Sequence, residues 1–332
     1  MKPQGWHGPP PPAGLPETIA PTMPAANAPA SQAIATPADA PPDRYAVLGQ
    51  PVAHSQSPFI HARFAQQTGQ RLVYSRVECP LDGFEATLRG WAAAAMPGGN
   101  GGAGTGPARG CNITVPFKFQ VLPLAQRVAE RAALAQAANV LGFGPEGWWA
   151  DNTDGIGLVR DIQMHAGLPL AGQRVLLVGA GGAAAGVLGP LIGAGCSAVT
   201  VANRTLAKAQ ALVQRHQAWA DQHGARLSAS TLGDVGEAYD LVLNSSASSL
   251  AGAPVPVPVR VLRAGSLAVD LMYGAPALPF LAWASAHGAT GRDGLGMLVE
   301  QAAEAFWLWR GVMPHTPPVL AALRQHLAAA KA

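Results

Sequence analysis

Six short stretches hold the residue types that could do chemistry. One is Gly179-Ala180-Gly181-Gly182-Ala183-Ala184, which follows the apolar run 175–178 and opens an Ala-rich segment. The spacing is G-x-G-x-x-A between an expected strand and an expected helix. There the first glycine permits the turn, the second lets a pyrophosphate reach the backbone, and the small third residue lets helix and strand pack. The helix start would offer unpaired N–H groups and a positive dipole end to the phosphates. At the end of the next expected strand stand Asn203, Arg204, Thr205 and Lys208. A site for NAD usually carries Asp or Glu there to bind the ribose hydroxyl, whereas Arg204 and Lys208 would attract a 2′-phosphate, the arginine in a bidentate manner. Two solvated surface charges are the plainer reading of that pair, but one turn apart at this strand end they favour NADP over NAD.

The other five stretches are polar. They are Gly49-Gln-Pro-Val-Ala-His-Ser55-Gln-Ser57-Pro58, Asn112-Ile-Thr114-Val-Pro116-Phe-Lys118, Ala138-Asn139-Val140, Asp151-Asn152-Thr153-Asp154-Gly155, and Asp293-Gly294-Leu-Gly296-Met297-Leu-Val-Glu-Gln301. Each has an ordinary explanation by itself. Ser-x-Ser-Pro is often a helix cap and turn, with Ser57 the candidate cap. A lysine after a proline is normally a surface charge, and Asp154 could cap a helix beginning near Gly155. Gln301 could be an exposed helical glutamine, and Met297 could fill a core. No such bland reading explains all five together.

The elements that must position these residues follow an α/β pattern. Residues 1–42 are rich in Pro and Ala with few large apolar side chains, too little to offset the entropy of ordering, so they read as a disordered tail. Strands are expected at 45–48, 72–77, 111–115, 139–143 and 148–150, with helices after Pro58, at 83–96, 122–134 and 158–165. A Gly-rich stretch at 96–110 reads as a mobile loop, and 151–157 as a polar loop opening the helix at Leu158. From Arg174 strand and helix alternate: 175–178, 183–192, 198–202, 207–223, 241–244 and 267–271, which predicts a parallel sheet covered by helices. Helices at 298–311 and 319–330 close the chain. The fold class is therefore α/β, as two domains around a cleft. A discontinuous substrate-binding domain (43–165 completed by 293–332) encloses a Rossmann domain (166–292).

With these motifs in place the sequence resembles the shikimate dehydrogenases, in all five polar stretches and in the Rossmann unit between them, from Tyr45 to about Gly311. The resemblance implies NADP-dependent reduction of 3-dehydroshikimate to shikimate on the route to chorismate and the aromatic amino acids. It implies Ser55 and Ser57 for the substrate carboxylate, and Thr114, Asn139, Tyr273 and Gln301 for the rest of the ring. Leu271, Gly294 and Met297 would stand beside the nicotinamide. Lys118 and Asp154 would carry the reaction: hydride goes to the carbonyl carbon and a proton to its oxygen. An ordinary lysine stays protonated at neutral pH, so Lys118 must be desolvated or share its proton with a partner. Which of the two moves the proton is left open.

Four departures stand against the pattern. The stretch Asn244-Ser-Ser-Ala-Ser-Ser249 lacks a glycine common in the family, Leu278-Pro279 replaces the usual Thr-Pro after Tyr273, the Gly-rich loop is long, and the tail before residue 43 is extra. Two alternatives follow: a quinate/shikimate dehydrogenase using NAD, or a non-catalytic nucleotide-sensing paralogue, against which intact Lys118 and Asp154 argue.

Bulk properties narrow the classes further. The chain has 332 residues, room for two domains, and a formal net charge of +3 without a long basic run, so neither nucleic acid nor an anionic membrane surface is expected as a partner. Residues 175–203 carry no charge and would trigger a hydropathy window, yet they hold seven glycines and Pro190 and break at the Gly-rich turn, as a strand feeding a helix does. Cys79, Cys111 and Cys196 are odd in number and widely spaced, which fits a reducing cytoplasm and argues against a disulfide framework or metal site. The adjacent Trp148 and Trp149 read as core and rim, and His54 and Cys111 as packing. Oligomeric state is not encoded in any motif, and a homodimer is compatible with the chain.

Overall fold

The computed structural model describes residues 5–6, 41–94, 106–246 and 255–330. Almost all of the 1–42 tail, most of the 96–110 loop and the departure at Ala247 to Ser249 lie outside them. The chain divides into two units, one running to Thr153 and resuming at Gln301, the other taking Asp154–Glu300.

The first unit is built on a seven-stranded sheet. Its strands are β1 (Gly5–Trp6), β2 (Asp43–Gly49), β3 (Leu72–Glu78), β4 (Ala108–Ile113), β5 (Arg127–Ala129), β6 (Val140–Gly144) and β7 (Gly147–Asp151), in the order β1-β5-β7-β6-β4-β2-β3. β2 pairs in parallel with β3 and β4, while β6 runs antiparallel to both β4 and β7. All seven residues of β2 are buried, as a central strand covered on both faces requires. Its alternate side chains enter different cores. Ala46 and Leu48 pack with Cys111, Ile113 and Phe117 beside helix α2 (Phe84–Ala93), whereas Tyr45 packs with Trp149, Trp307 and Trp309. Helix α1 (Ser57–Thr68) follows β2, and α3 (Glu130–Ala135) follows β5.

Local signals misplace several boundaries here. The apolar spacing at 122–134 suggests one helix, but the chain makes a short 3-10 turn at Leu122–Leu124, then β5, then α3. Arg127 and Val128 instead pair with Trp149 and Ala150, and the Gln126 N–H donates to the Trp148 carbonyl at 2.9 Å. Tertiary strand pairing outranks spacing when an open sheet edge is available. Ser57 is the first residue of α1 rather than its cap. Gln56 holds the cap position, and the Ser57 N–H donates to Ser55 Oγ at 3.3 Å. The stretch 151–157 is not a loop either: β7 extends through Asp151, and α4 begins at Asp154.

The second unit holds α4 (Asp154–Arg160), which continues as a π-helical turn over Asp161–His165, then β8 (Arg174–Val178), α5 (Gly182–Gly193), β9 (Ala198–Ala202) and α6 (Leu206–Gln222). β10 (Arg226–Ser230), β11 (Tyr239–Asn244), β12 (Leu262–Asp270), α7 (Leu278–Ala286) and β13 (Thr290–Arg292) follow. Its six strands are all parallel in the order β10-β9-β8-β11-β12-β13. Counted from β8, that is 3-2-1-4-5-6, the doubly wound order whose reversal lies between β8 and β11. The edge strands β10 and β13 and helix α7 went unread in the sequence, and β12 starts five residues before the expected strand. α8 (Leu295–Arg310) carries the chain from the second unit into the first, and α9 (Thr316–Ala329) ends it. Among the described residues no helix is long and apolar enough to cross a membrane.

Within the second unit, α4 is clamped from two sides. A Cβ on Gly155 would lie 2.5 Å from the Gly186 carbonyl oxygen and 2.4 Å from Pro190, so only glycine lets α4 approach α5 this closely. Asp161 takes two hydrogen bonds from Arg292, at 2.8 and 2.5 Å, and His165 Nε2 meets Glu300 Oε1 at 2.8 Å. The hydrogen bond to Glu300 raises the His165 pKa above the ordinary histidine value. A raised folded-state pKa means stabilisation fully present below about pH 6.5 and lost as pH rises through the raised value. The thermal midpoint of wild type minus that of His165→Gln is therefore expected to be largest in mild acid and to shrink toward pH 8. A difference that is flat, or that grows with pH, would contradict the charged pair.

Candidate active site

The sequence-expected residues of the first unit gather at one end of its sheet. Ser55 and Ser57 follow β2, and Thr114 and Lys118 follow β4. Asn139 precedes the antiparallel β6, and Thr153 follows β7. Pairing of Val140 with both Asn112 and Asp151 puts these loops at the same edge, the carboxyl end of the parallel strands where open α/β sheets bind ligands. Ser55 Oγ and Ser57 Oγ are 3.2 Å apart, so one small anion could meet both hydroxyls. The Thr114 N–H donates to the Leu48 carbonyl at 2.9 Å, and β4 then gives way to a 3-10 turn at Phe117–Phe119 that carries half-buried Lys118. The Lys118 carbonyl accepts the Ala138 N–H at 2.9 Å, tying the lysine's backbone to the residue before Asn139.

Asn139 is the hub. Its Nδ2 donates to Gln301 Oε1 and to Thr153 Oγ1, each at 3.0 Å, and its Oδ1 accepts the Thr153 N–H at 2.8 Å. Asn139 and Gln301 are both buried, so an amide pair able to donate and accept is held rigidly at the sheet end. Sequence reasoning did not single out Thr153, or Tyr74, whose hydroxyl donates to Asn112 Oδ1 at 2.6 Å, or Arg76, which donates to the Ser55 carbonyl. The alternation that puts Tyr74 and Arg76 on one face of β3 was readable; their partners were not.

The second unit presents the dinucleotide features. Gly179 has φ +111°, the left-handed region, and a Cβ there would meet Ser245 Oγ at 2.6 Å. At Gly181, which caps α5, a Cβ would meet nothing within 4 Å. That open space before the helix start at Gly182 and Ala183 fits a pyrophosphate, with α5 N–H groups facing it. Asn203, Arg204, Thr205 and Lys208 follow the carboxyl end of β9, where Arg204, Thr205 and Lys208 are exposed and none of residues 203–208 is acidic. Those residues fit a phosphorylated ribose. At the ends of β11 and β12, buried Asn244 donates to Asp270 Oδ2 at 2.9 Å and accepts from Ser246, and the Leu271 N–H donates to the Asn244 carbonyl. Leu271 and Tyr273 are half-buried on the following loop, the Gly294 N–H donates to the Met272 carbonyl, and Met297 is buried on α8. Asp154, 4% exposed, begins α4 and so belongs to this unit, whereas Lys118 belongs to the first. Among the described residues no cluster of His, Cys, Asp or Glu could hold a metal ion, and the three cysteines are buried thiols.

A doubly wound sheet with this turn and this strand end, joined to an α/β unit rich in hydroxyls and amides, defines an NADP-type oxidoreductase acting on a polyhydroxylated substrate. Comparison with known proteins narrows the class. Residues 47–141 match the shikimate dehydrogenase substrate binding domain, 162–251 the shikimate / quinate 5-dehydrogenase domain, and 294–324 the shikimate 5′-dehydrogenase C-terminal domain. The chain belongs to the shikimate dehydrogenase family. A shikimate dehydrogenase (NADP(+)) of Methylibium petroleiphilum is 62% identical over 282 residues, covering 85% of this chain and 94% of its own. Among solved structures, an Ael1 enzyme from Pseudomonas putida is 43% identical with a TM-score of 0.72, covering 85% of this chain and 98% of its own. A shikimate dehydrogenase in complex with NADP+ is 26% identical with a TM-score of 0.74, covering 86% and 96%.

Proposed function

We propose that this protein catalyses the reversible NADPH-dependent reduction of 3-dehydroshikimate to shikimate, in the cytoplasm, on the route to chorismate. The observation that carries the reading is the 62% identity, along 85% of the chain, to a shikimate dehydrogenase (NADP(+)). The amide pair of Asn139 and Gln301 and the absence of Asp or Glu from residues 203–208 after β9 support it.

When bound, the nicotinamide supplies a hydride to the ring carbonyl carbon, or takes one from the alcohol carbon. The chain's own residues do the rest. Gly179, Ala180, Gly181, Gly182 and Ala183 hold the pyrophosphate through backbone N–H groups. Asn203, Arg204, Thr205 and Lys208 bind the phosphorylated ribose, and Leu271, Gly294 and Met297 flank the nicotinamide. Ser55 and Ser57 take the substrate carboxylate, while Thr114, Asn139, Tyr273 and Gln301 orient the ring hydroxyls. Lys118 and Asp154 hold the proton that the carbonyl oxygen gains on reduction and recover it on oxidation.

Steady-state rates with shikimate and quinate, each with NADP+ and NAD+, test this reading. Shikimate with NADP+ is expected to give the highest kcat/KM, and Arg204→Glu to lower kcat/KM for NADP+ by about 10- to 100-fold, as losing a charge-assisted bond to phosphate should, with NAD+ little affected. A preference for quinate with NAD+ would overturn the assignment.

A further inference from the structure

β3 lies at the edge of the first unit's sheet, and Arg76 in its carboxyl-terminal half contacts the serine loop. The Arg76 guanidinium donates from Nε and from a terminal nitrogen to the same Ser55 carbonyl oxygen, at 2.9 and 2.6 Å. Ser55 Oγ in turn accepts the Ser57 N–H at 3.3 Å and stands 3.2 Å from Ser57 Oγ. The cation thus fixes the backbone from which both hydroxyls are displayed. Two residues earlier on the same face, Tyr74 stacks on buried His61 with ring centroids 4.2 Å apart and donates to Asn112, so this part of the strand is rigidly seated.

Charge gives a second, independent argument. A carbonyl is a neutral acceptor, and among the described residues Arg76 makes no ion pair. A guanidinium stays charged at any pH a protein survives and offers five donors, of which this contact uses two. The exposed Arg76 guanidinium, without an ion pair among the described residues, therefore holds its charge against the Ser55 carbonyl.

We propose that Arg76 is a positioning residue that makes the substrate carboxylate a requirement: it anchors the Ser55 backbone and supplies the positive field that the two neutral hydroxyls lack. The proposal rests on the assignment of Ser55 and Ser57 to the carboxylate and adds the source of its charge selectivity. The test measures dissociation constants by titration calorimetry for shikimate and for its methyl ester, which has no charge at that position. The proteins are wild type, Arg76→Gln and Arg76→Lys, all full-length, with kcat followed in parallel. Arg76→Gln is expected to weaken shikimate about tenfold and the ester only about two- to threefold, since the ester loses the anchored loop but not the charge, while NADP+ affinity and kcat change little. Arg76→Lys, which keeps the charge but not the two-donor grip, should fall between. Equal losses for acid and ester would reduce Arg76 to a structural prop, and unchanged shikimate affinity would remove it from the site; either overturns the proposal. Wild-type protein that binds shikimate but never oxidises it would sink the functional reading instead, leaving the acid-to-ester comparison interpretable.

Discussion

Replacing Lys118 by methionine is expected to lower kcat for shikimate oxidation by about 10²- to 10⁴-fold while leaving shikimate affinity far less changed, the range that loss of a positioned proton donor or acceptor produces. The substitution keeps the length of the aliphatic stem and removes only the ionisable end. The turn that carries it is held by other groups. Phe117 is fully buried and stacks on Phe84 with centroids 4.5 Å apart, and the Lys118 carbonyl, not its side chain, receives the Ala138 N–H. The turn should therefore persist in the variant, so a loss of rate far beyond the change in affinity reports chemistry. Asp154→Asn provides the companion measurement. Residues that act as a unit are not additive, so the double variant should be no slower than the slower single one. A Lys118→Met enzyme that turns over within a few-fold of wild type would remove the lysine from the proton path and leave Asp154 to be tested alone.

How much of this could be read in advance depended on whether the signal was local. The strand, turn and helix around Gly179 were legible because three features coincide within ten residues: an apolar run, spaced glycines and an Ala-rich helix. The polar stretches at Ser55, Thr114, Asn139 and Gln301 were legible as a set, and the structure brings Asn139 and Gln301 into direct hydrogen bonding across 162 residues of chain. Partner identity was the part that could not be read. β5 has three residues and exists because Trp149 and Ala150 offer it a ladder, so its own spacing argued for a helix. Edge strand β13 is equally short, and β10, though as long as β8 and β9, is mostly half-exposed, with little apolar alternation to mark it. Asp154 seemed a loop residue because Gly155 and Gly157 are poor helix formers. Yet Gly155 is what lets the first turn of α4 lie against Pro190. Arg76 and Arg131 are single charges in otherwise ordinary segments, and only the fold shows what each one holds.

Arg131→Met should destabilise the protein by about 3–5 kcal/mol, because it strands two buried carboxylates. The guanidinium meets Asp151 Oδ1 and Oδ2 at 2.7 and 2.9 Å and Glu304 Oε1 at 3.0 Å, with side-chain exposures of 19%, 1% and 5% for Arg131, Asp151 and Glu304. Burial alone would lower the Arg131 pKa, but the carboxylates of Asp151 and Glu304 together raise it above the ordinary arginine value. A loss of that size corresponds to a fall in thermal midpoint on the order of 10 °C. Neutralising the stranded groups should restore stability, so Arg131→Met combined with Asp151→Asn and Glu304→Gln is expected to recover much of the deficit. The same triad bears on the proposed substrate site. Asp151 also accepts the Asn152 N–H at 2.6 Å, and its carbonyl accepts the Asn139 N–H at 3.1 Å. Glu304 lies one turn beyond Gln301 on α8. The guanidinium thus joins the end of β7 to the helix that supplies Gln301, and both flank the Asn139 hub. Loosening that join should raise KM for shikimate at temperatures where the variant is still folded, while KM for NADP+, whose proposed site is in the other unit, stays near its wild-type value. If the midpoint moves by less than about 2 °C, or if the triple variant is no more stable than Arg131→Met alone, the buried charges are not what the arginine holds in place.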